Sequence, residues 1–197
     1  MSINIKKITI AAAVALAASS AMAADGTINF TGEIVAASCG ITGGNGTSVT
    51  GGKGNQSIDV KLGKVSADTL SGTAGGGIAA GTAINLNLDC GATAKGLTSV
   101  KVRFDPAGGS GVDGHNNKLL QVTGTAKGVG IGIFNTAGTL LNLNANETFD
   151  APLVQGGTEE APVYTANLAL RAGYVANGSE ITAGTANGTL PFTLTYE

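Results

Sequence analysis

The side chains able to do chemistry are few and poorly spaced for it. The single histidine, His115, sits in the polar run DGHNN beside Asp113, with Asp105 a little upstream. A catalytic triad would have to be built on that histidine, and no G-x-S-x-G elbow accompanies it. Asp105, Asp113 and His115 together offer at most weak cation binding, and isolated acids in a loop are ordinarily solvated. Glu159 and Glu160 are adjacent, so an extended backbone turns them to opposite faces and they cannot work as an acid–base pair. Gly51, Gly52 and Lys53 lack both the spacing and the following Ser or Thr of a phosphate loop. The expectation is no enzyme, no metal site and no cofactor.

Cys39 and Cys90 are the remaining reactive pair, and their meaning depends on the compartment. Lys6 and Lys7, the apolar run Ile8 to Ala18 and the small-residue exit Ala21, Met22, Ala23 make a secretory signal over residues 1–23. A retained membrane helix is the alternative, but the run is shorter than the roughly 20 residues a span needs. Nothing later in the chain is long and apolar enough to cross a bilayer, so the chain is not expected to span a membrane. Cleavage after Ala23 leaves about 174 residues, enough for one domain with a substantial core. Losing Lys6 and Lys7 moves the formal charge from −2 to about −4, and no basic patch remains to hold nucleic acid. In an oxidising compartment an even pair of cysteines reads as a structural disulfide. A redox pair would call for C-x-x-C, and a metal site for more ligands than one histidine supplies.

The elements that would carry these residues are strands. Ser57 to Val65 places Ile58, Val60 and Leu62 on one face, and Ala83 to Cys90 does the same with Ile84, Leu86 and Leu88. Further strand-like runs are Ser99 to Phe104, Leu119 to Val122, Val129 to Phe134, Thr139 to Leu143, Val163 to Leu170 with an extension to Tyr174, and Thr189 to Tyr196. Asn135 to Gly138 reads as a hairpin turn. Gly40 to Gly54 and Ser66 to Gly81, crowded with Gly, Thr and Ser, read as exposed loops. No dozen-residue window carries a helical stripe, and many short strands between Gly-rich turns argue for an antiparallel sandwich.

Two strands stand out at the ends. Asp25 to Ile34 alternates strictly, with Ile28, Phe30, Gly32 and Ile34 on one side, and has no obvious partner within its own chain. Near the other end, Leu190, Phe192, Leu194 and Tyr196 alternate with Thr189, Pro191, Thr193 and Thr195. Pro191 has no N–H to give, which suits an edge or the start of a strand.

In order along the chain, TINFTGEI, Ala37-Ser38-Cys39, VKLGKV, INLNLDC, Gly184 fourteenth from the end and the penultimate Tyr196 resemble a type 1 fimbrial (pilus) structural subunit of the chaperone–usher pathway. The resemblance runs over essentially the whole mature chain. It implies an all-β, incomplete immunoglobulin-like antiparallel sandwich that lacks its last strand and is completed by a donor strand from the next subunit. It divides the chain into the signal peptide 1–23, a donor-strand extension 24–36 and a pilin domain 37–197. Ile28, Phe30 and Ile34 would be plugs in a neighbour's groove, with Gly32 where only a hydrogen fits. Leu190, Phe192 and Leu194 would line this subunit's own groove, and Gly184 belongs to the same C-terminal motif. Tyr196 and the Glu197 carboxylate would be recognised by a periplasmic chaperone before an outer-membrane usher adds the next pilin. The implied function is the major rod-forming pilin of an adhesive pilus on a Gram-negative surface, reached through the periplasm. A minor adaptor or tip-associated binding subunit is the alternative.

Overall fold

The computed structural model describes residues 39–44, 46–71, 77–78, 81–145 and 147–197. The signal segment and the N-terminal strand with Ile28, Phe30, Gly32 and Ile34 lie outside the described residues. In chain order the elements are β1 (Gly40–Gly43), β2 (Thr47–Gly52), β3 (Asn55–Val60), α1 (Ala67–Ser71), β4 (Gly81–Gly91) and β5 (Ser99–Phe104). They continue with β6 (Leu120–Gln121), β7 (Val129–Phe134), β8 (Thr148–Pro152), β9 (Val154–Gly157), β10 (Pro162–Ala176) and β11 (Phe192–Tyr196).

Period-two patterning turns these strands into two facing layers. The larger sheet runs β1-β4-β10-β7-β6, with β9 also paired to β10, and the smaller runs β11-β5-β8. Every strand pair is antiparallel. The register sets inward apolar residues opposite one another: Leu168 faces Leu86 and Leu170 faces Ile84 across β10 and β4. In the smaller sheet, Val102 lies between Leu194 of β11 and Phe149 of β8. These residues meet in one core that also takes in Leu88, Val100, Ile131 and Ile133. Burial at about 25 cal/mol per Å² of apolar surface is what holds the layers together.

β7 is buried along its whole length, on both faces. Its inward Ile131 and Ile133 join the main core, while Phe134 joins Leu119 and Val175 in a smaller cluster on the outer face. Gly130 and Gly132 make that second layer fit. A Cβ on Gly130 would come within 2.8 Å of the Leu119 side chain, and one on Gly132 within 3.0 Å of Phe134, Leu140 and Val175.

Cys39 and Cys90 form a disulfide across a separation of 51 residues, with both cysteines buried. The bridge ties the start of β1 to the end of β4, whose pairing already sets Gly40 opposite Asp89. The sequence expectation of a structural bridge is met.

Several boundaries differ from the sequence reading. Gly40 to Gly54 is not a loop: β1 pairs with β4, and β2 forms a hairpin with β3 in which Val49 faces Ile58. Ser66 to Gly81 likewise contains α1, whose Leu70 is buried. Glycine and threonine supply too little apolar contrast for alternation to show, yet their backbones pair as well as any other. The strand expected over Ser57 to Val65 runs from Asn55 to Val60, and the last strand begins at Phe192 instead of Thr189. Thr139 to Leu143 is no strand. The turn at Asn135 is present, with Gly138 N–H on the Asn135 carbonyl at 3.0 Å, and the pairing beyond it stops at one bridge between Phe134 and Leu140, held by Asn135 N–H on Thr139 and Leu141 N–H on Ile133.

Candidate functional site

A sandwich of two open sheets has strand edges to dispose of, because an unpaired edge is a template for another strand. β1 is an edge of the larger sheet, and the backbone groups of its buried Ile41 are occupied: the Gln56 side chain accepts from Ile41 N–H and donates to the Ile41 carbonyl, both at 3.2 Å. A side-chain amide here stands in for a neighbouring peptide unit. β8 and β9 are edges too, and neither lines the two cavities described below. β11 pairs with β5, has no second partner strand among the described residues, and contributes Phe192 to an apolar groove.

The groove encloses a cavity of about 680 Å³. One wall is β3 and the residues just after it, where Ile58, Val60 and Leu62 face in; the other is the approach to β11, with Leu190 and Phe192. Its floor is the main core, with Leu86, Val102 and Leu168 among the residues that line it. The wall residues pack against the core yet stay only half-buried, which is how a core looks with one layer of side chains missing. Past Tyr174 and Ala186 the groove meets a second cavity of about 470 Å³, lined by Val65, Leu70, Val129 and Ile181. Tyr174 marks the boundary between them. Its hydroxyl donates to the Ala186 carbonyl at 2.7 Å, and burial pushes its pKa above the usual 10.0.

The residues singled out from sequence separate into three groups. Leu190 and Phe192 line the groove. Leu194 and Tyr196 continue the same face of β11 but pack into the core beyond the groove. Gly184 lines the second cavity, pressed so tightly on Thr125 and Ala126 that an added Cβ would meet the Ala126 nitrogen at 2.5 Å. The last two residues are already engaged within the domain. Tyr196 Oη accepts from the Cys39 N–H at 3.2 Å, and Glu197 Oε2 pairs with Lys101 Nζ at 2.6 Å. That contact holds the Lys101 pKa above 10.5. The main-chain oxygen of Glu197 takes the N–H groups of Thr98 and Ser99. The β3 wall was legible as an alternating strand, but not its place opposite Leu190 and Phe192.

The polar residues weighed for chemistry are used for structure. Asp113 is buried and fully occupied, accepting from His115 N–H, Asn116 N–H and the Asn177 amide, each at 2.9 Å. Asp105 accepts from Gly108 N–H at the start of a 3₁₀ turn. Among the described residues no group of three or more His, Cys, Asp or Glu is placed to hold a metal, and no helix is long and apolar enough to cross a membrane.

Fold and groove together define a pilin-type domain, an immunoglobulin-like sandwich one strand short. Residues 28–197 match the family described as fimbrial protein, and the chain belongs to that family. Long polar fimbria protein A of Salmonella typhimurium is 33% identical over the full length of both chains. The probable major fimbrial subunit LpfA of Escherichia coli O157:H7 is 31% identical, again over 100% of each. Among solved structures, a chaperone–usher pilus structure described in terms of rod uncoiling aligns with a TM-score of 0.53 at 24% identity, covering 87% of this chain and 95% of that one. The CupB6 tip adhesin of Pseudomonas aeruginosa aligns with a TM-score of 0.51 at 22% identity, and this chain covers 35% of it. Both structural likenesses support the fold. The chain is a fimbrial structural subunit.

Proposed function

We propose that this protein is the major, rod-forming subunit of a chaperone–usher pilus and polymerises head to tail by exchanging strands, with no catalytic step. The observation that carries this is the apolar groove between β3 and β11, next to a strand edge without a partner among the described residues. Adding a strand to an exposed sheet edge is an established recognition mode, with chaperone–pilin complexes among its examples. In this reading residues 1–23 direct export to the periplasm and are removed. A periplasmic chaperone first fills the groove, and at an outer-membrane usher the segment 24–36 of the next subunit replaces the chaperone. Ile28, Phe30 and Ile34 enter the groove, and Gly32 passes where the backbones come closest. Burying those three side chains is worth about 5 to 9 kcal/mol before ordering costs. Ladder hydrogen bonds add about 0.5 to 1.5 kcal/mol each.

The test is to purify the chain without residues 1–23 together with its chaperone and add a synthetic peptide spanning Ala24 to Ala37. The expected result is release of the chaperone and a stable one-to-one complex of domain and peptide by size-exclusion chromatography. A domain that is a well-behaved monomer alone and ignores the peptide would overturn the reading.

A further inference from the structure

The proposed strand exchange uses two stretches of each subunit, β11 and residues 24–36, and the latter end three residues before Cys39 in the chain. The accepting strand, β11, belongs to the three-stranded sheet. Cys39, from which the chain runs back toward residues 24–36, belongs to the larger sheet through β1 and the bridge to Cys90. Besides the shared core, a hydrogen bond joins β11 to Cys39: the hydroxyl of Tyr196, at the end of β11, accepts from the backbone N–H of Cys39 at 3.2 Å.

We propose that Tyr196 is a positioning residue that ties the root of the donor segment to the strand accepting the neighbour's donor, so that orientation and pull pass directly from one junction to the next. The inference rests on the groove reading above. Both ends of the tie are held firmly. Tyr196 pairs with Val100 in the β11–β5 ladder, and beyond it Glu197 exchanges main-chain bonds with Ser99 and an ion pair with Lys101. The ring packs against the main core, so it cannot swing without breaking those contacts. At the other end, Cys39 is 2% exposed and covalently fixed to β4. A second copy's strand laid along β11 would therefore lie beside the strand whose Tyr196 holds the Cys39 amide. Phenylalanine in the same place would pack as well but hold nothing.

The test compares wild type with Tyr196→Phe, both filled with the Ala24–Ala37 peptide and both as filaments. Thr195→Ala, an exposed position on the same strand, is the control. Tyr196→Phe is expected to leave the thermal midpoint close to wild type while amide exchange at Cys39 accelerates about fivefold, the effect of one lost hydrogen bond of ordinary strength. Its filaments are expected to show a shorter persistence length by electron microscopy than those of wild type or the control. Unchanged exchange at Cys39, or faster exchange with filaments as stiff as wild type, overturns the proposal. Should Tyr196→Phe not fold, the peptide-filled wild type decides: a nuclear Overhauser contact between the Tyr196 ring protons and the Cys39 amide supports the tie, and its absence refutes it. Failure of the wild-type domain to bind the peptide strikes the groove reading; a bound peptide with unchanged Cys39 exchange in the variant strikes only this coupling.

Discussion

At the scale of single residues, the clearest constraints are close approaches of backbone to backbone. Gly184 has no unusual φ to explain it; its reason is contact, because a Cβ there would fall 2.4 Å from Thr125 Oγ1 as well as against the Ala126 nitrogen. Gly184→Ala should therefore destabilise the peptide-filled domain by roughly 1 to 3 kcal/mol, the usual cost of forcing extra volume into a packed place. Gly52, where a Cβ would meet nothing within 4 Å, is the matched control. Its alanine variant should stay within about 0.5 kcal/mol of wild type in urea unfolding. Tyr174 adds a pH signature. Burial raises its pKa above 10.0, so above that pH the unfolded chain gives up a proton that the folded chain keeps. Stability must then fall as pH rises from about 10 toward the folded pKa, with no effect below. Lys101, held protonated by Glu197, acts in the same direction above 10.5, so the diagnostic quantity is the difference between wild type and Tyr174→Phe. Equal slopes in the two proteins would contradict the burial assignment.

At the scale of elements, the groove reading makes β3 and β11 two walls of one site. Phe192 lines it from the β11 side, half-buried and against the core. Phe192→Ala should weaken binding of the Ala24–Ala37 peptide by about 2 kcal/mol, roughly thirtyfold in Kd by isothermal titration. An unchanged Kd would mean that the peptide binds elsewhere. The elements were legible in sequence to the degree that side chains contrast. β5 and β7 have the bounds expected from their alternation, and β4 and β10 were found within two residues at either end, because Leu, Ile and Val alternating with Asn, Thr or Gly leave only one way to face a core. β1, β2 and β9, written GITG, TSVTGG and VQGG, were invisible because their pairing rests on backbone groups and carries almost no apolar signature. The groove was half legible. Leu190 and Phe192 could be named from one terminal strand, but their opposite wall required knowing that Asn55–Val60 turns its apolar face toward them, a tertiary fact. Tyr196 could be picked out, while its bond to Cys39 could not, since nothing local connects residues 157 apart.

At the scale of the whole molecule, the proposed function makes the subunit asymmetric and its growth directional. On that proposal it accepts a strand at β11 and gives one from residues 24–36, a head-to-tail contact that does not close on itself. Deleting Asp25 to Ile34 should remove giving and spare accepting, since the described lining of the groove comes from β3, the core and the approach to β11. Such a variant should fold when supplied with the Ala24–Ala37 peptide and form no filaments by itself. Mixed into wild-type protein it can only begin a filament: it takes the next subunit's strand and has none to insert into a groove already there, so each filament holds at most one copy. If every variant molecule begins a filament, mean length should fall as the inverse of the variant's fraction, to about ten subunits when one molecule in ten lacks the segment. Length distributions from electron micrographs across a series of mixing ratios test this directly. A mean length independent of the fraction would show that the segment is not the donor. Gly32→Leu separates the role of the segment from its mere presence. It keeps the strand but puts a large side chain at the closest approach, so filaments should form slowly and reach normal length; assembly at the wild-type rate would remove Gly32 from the interface.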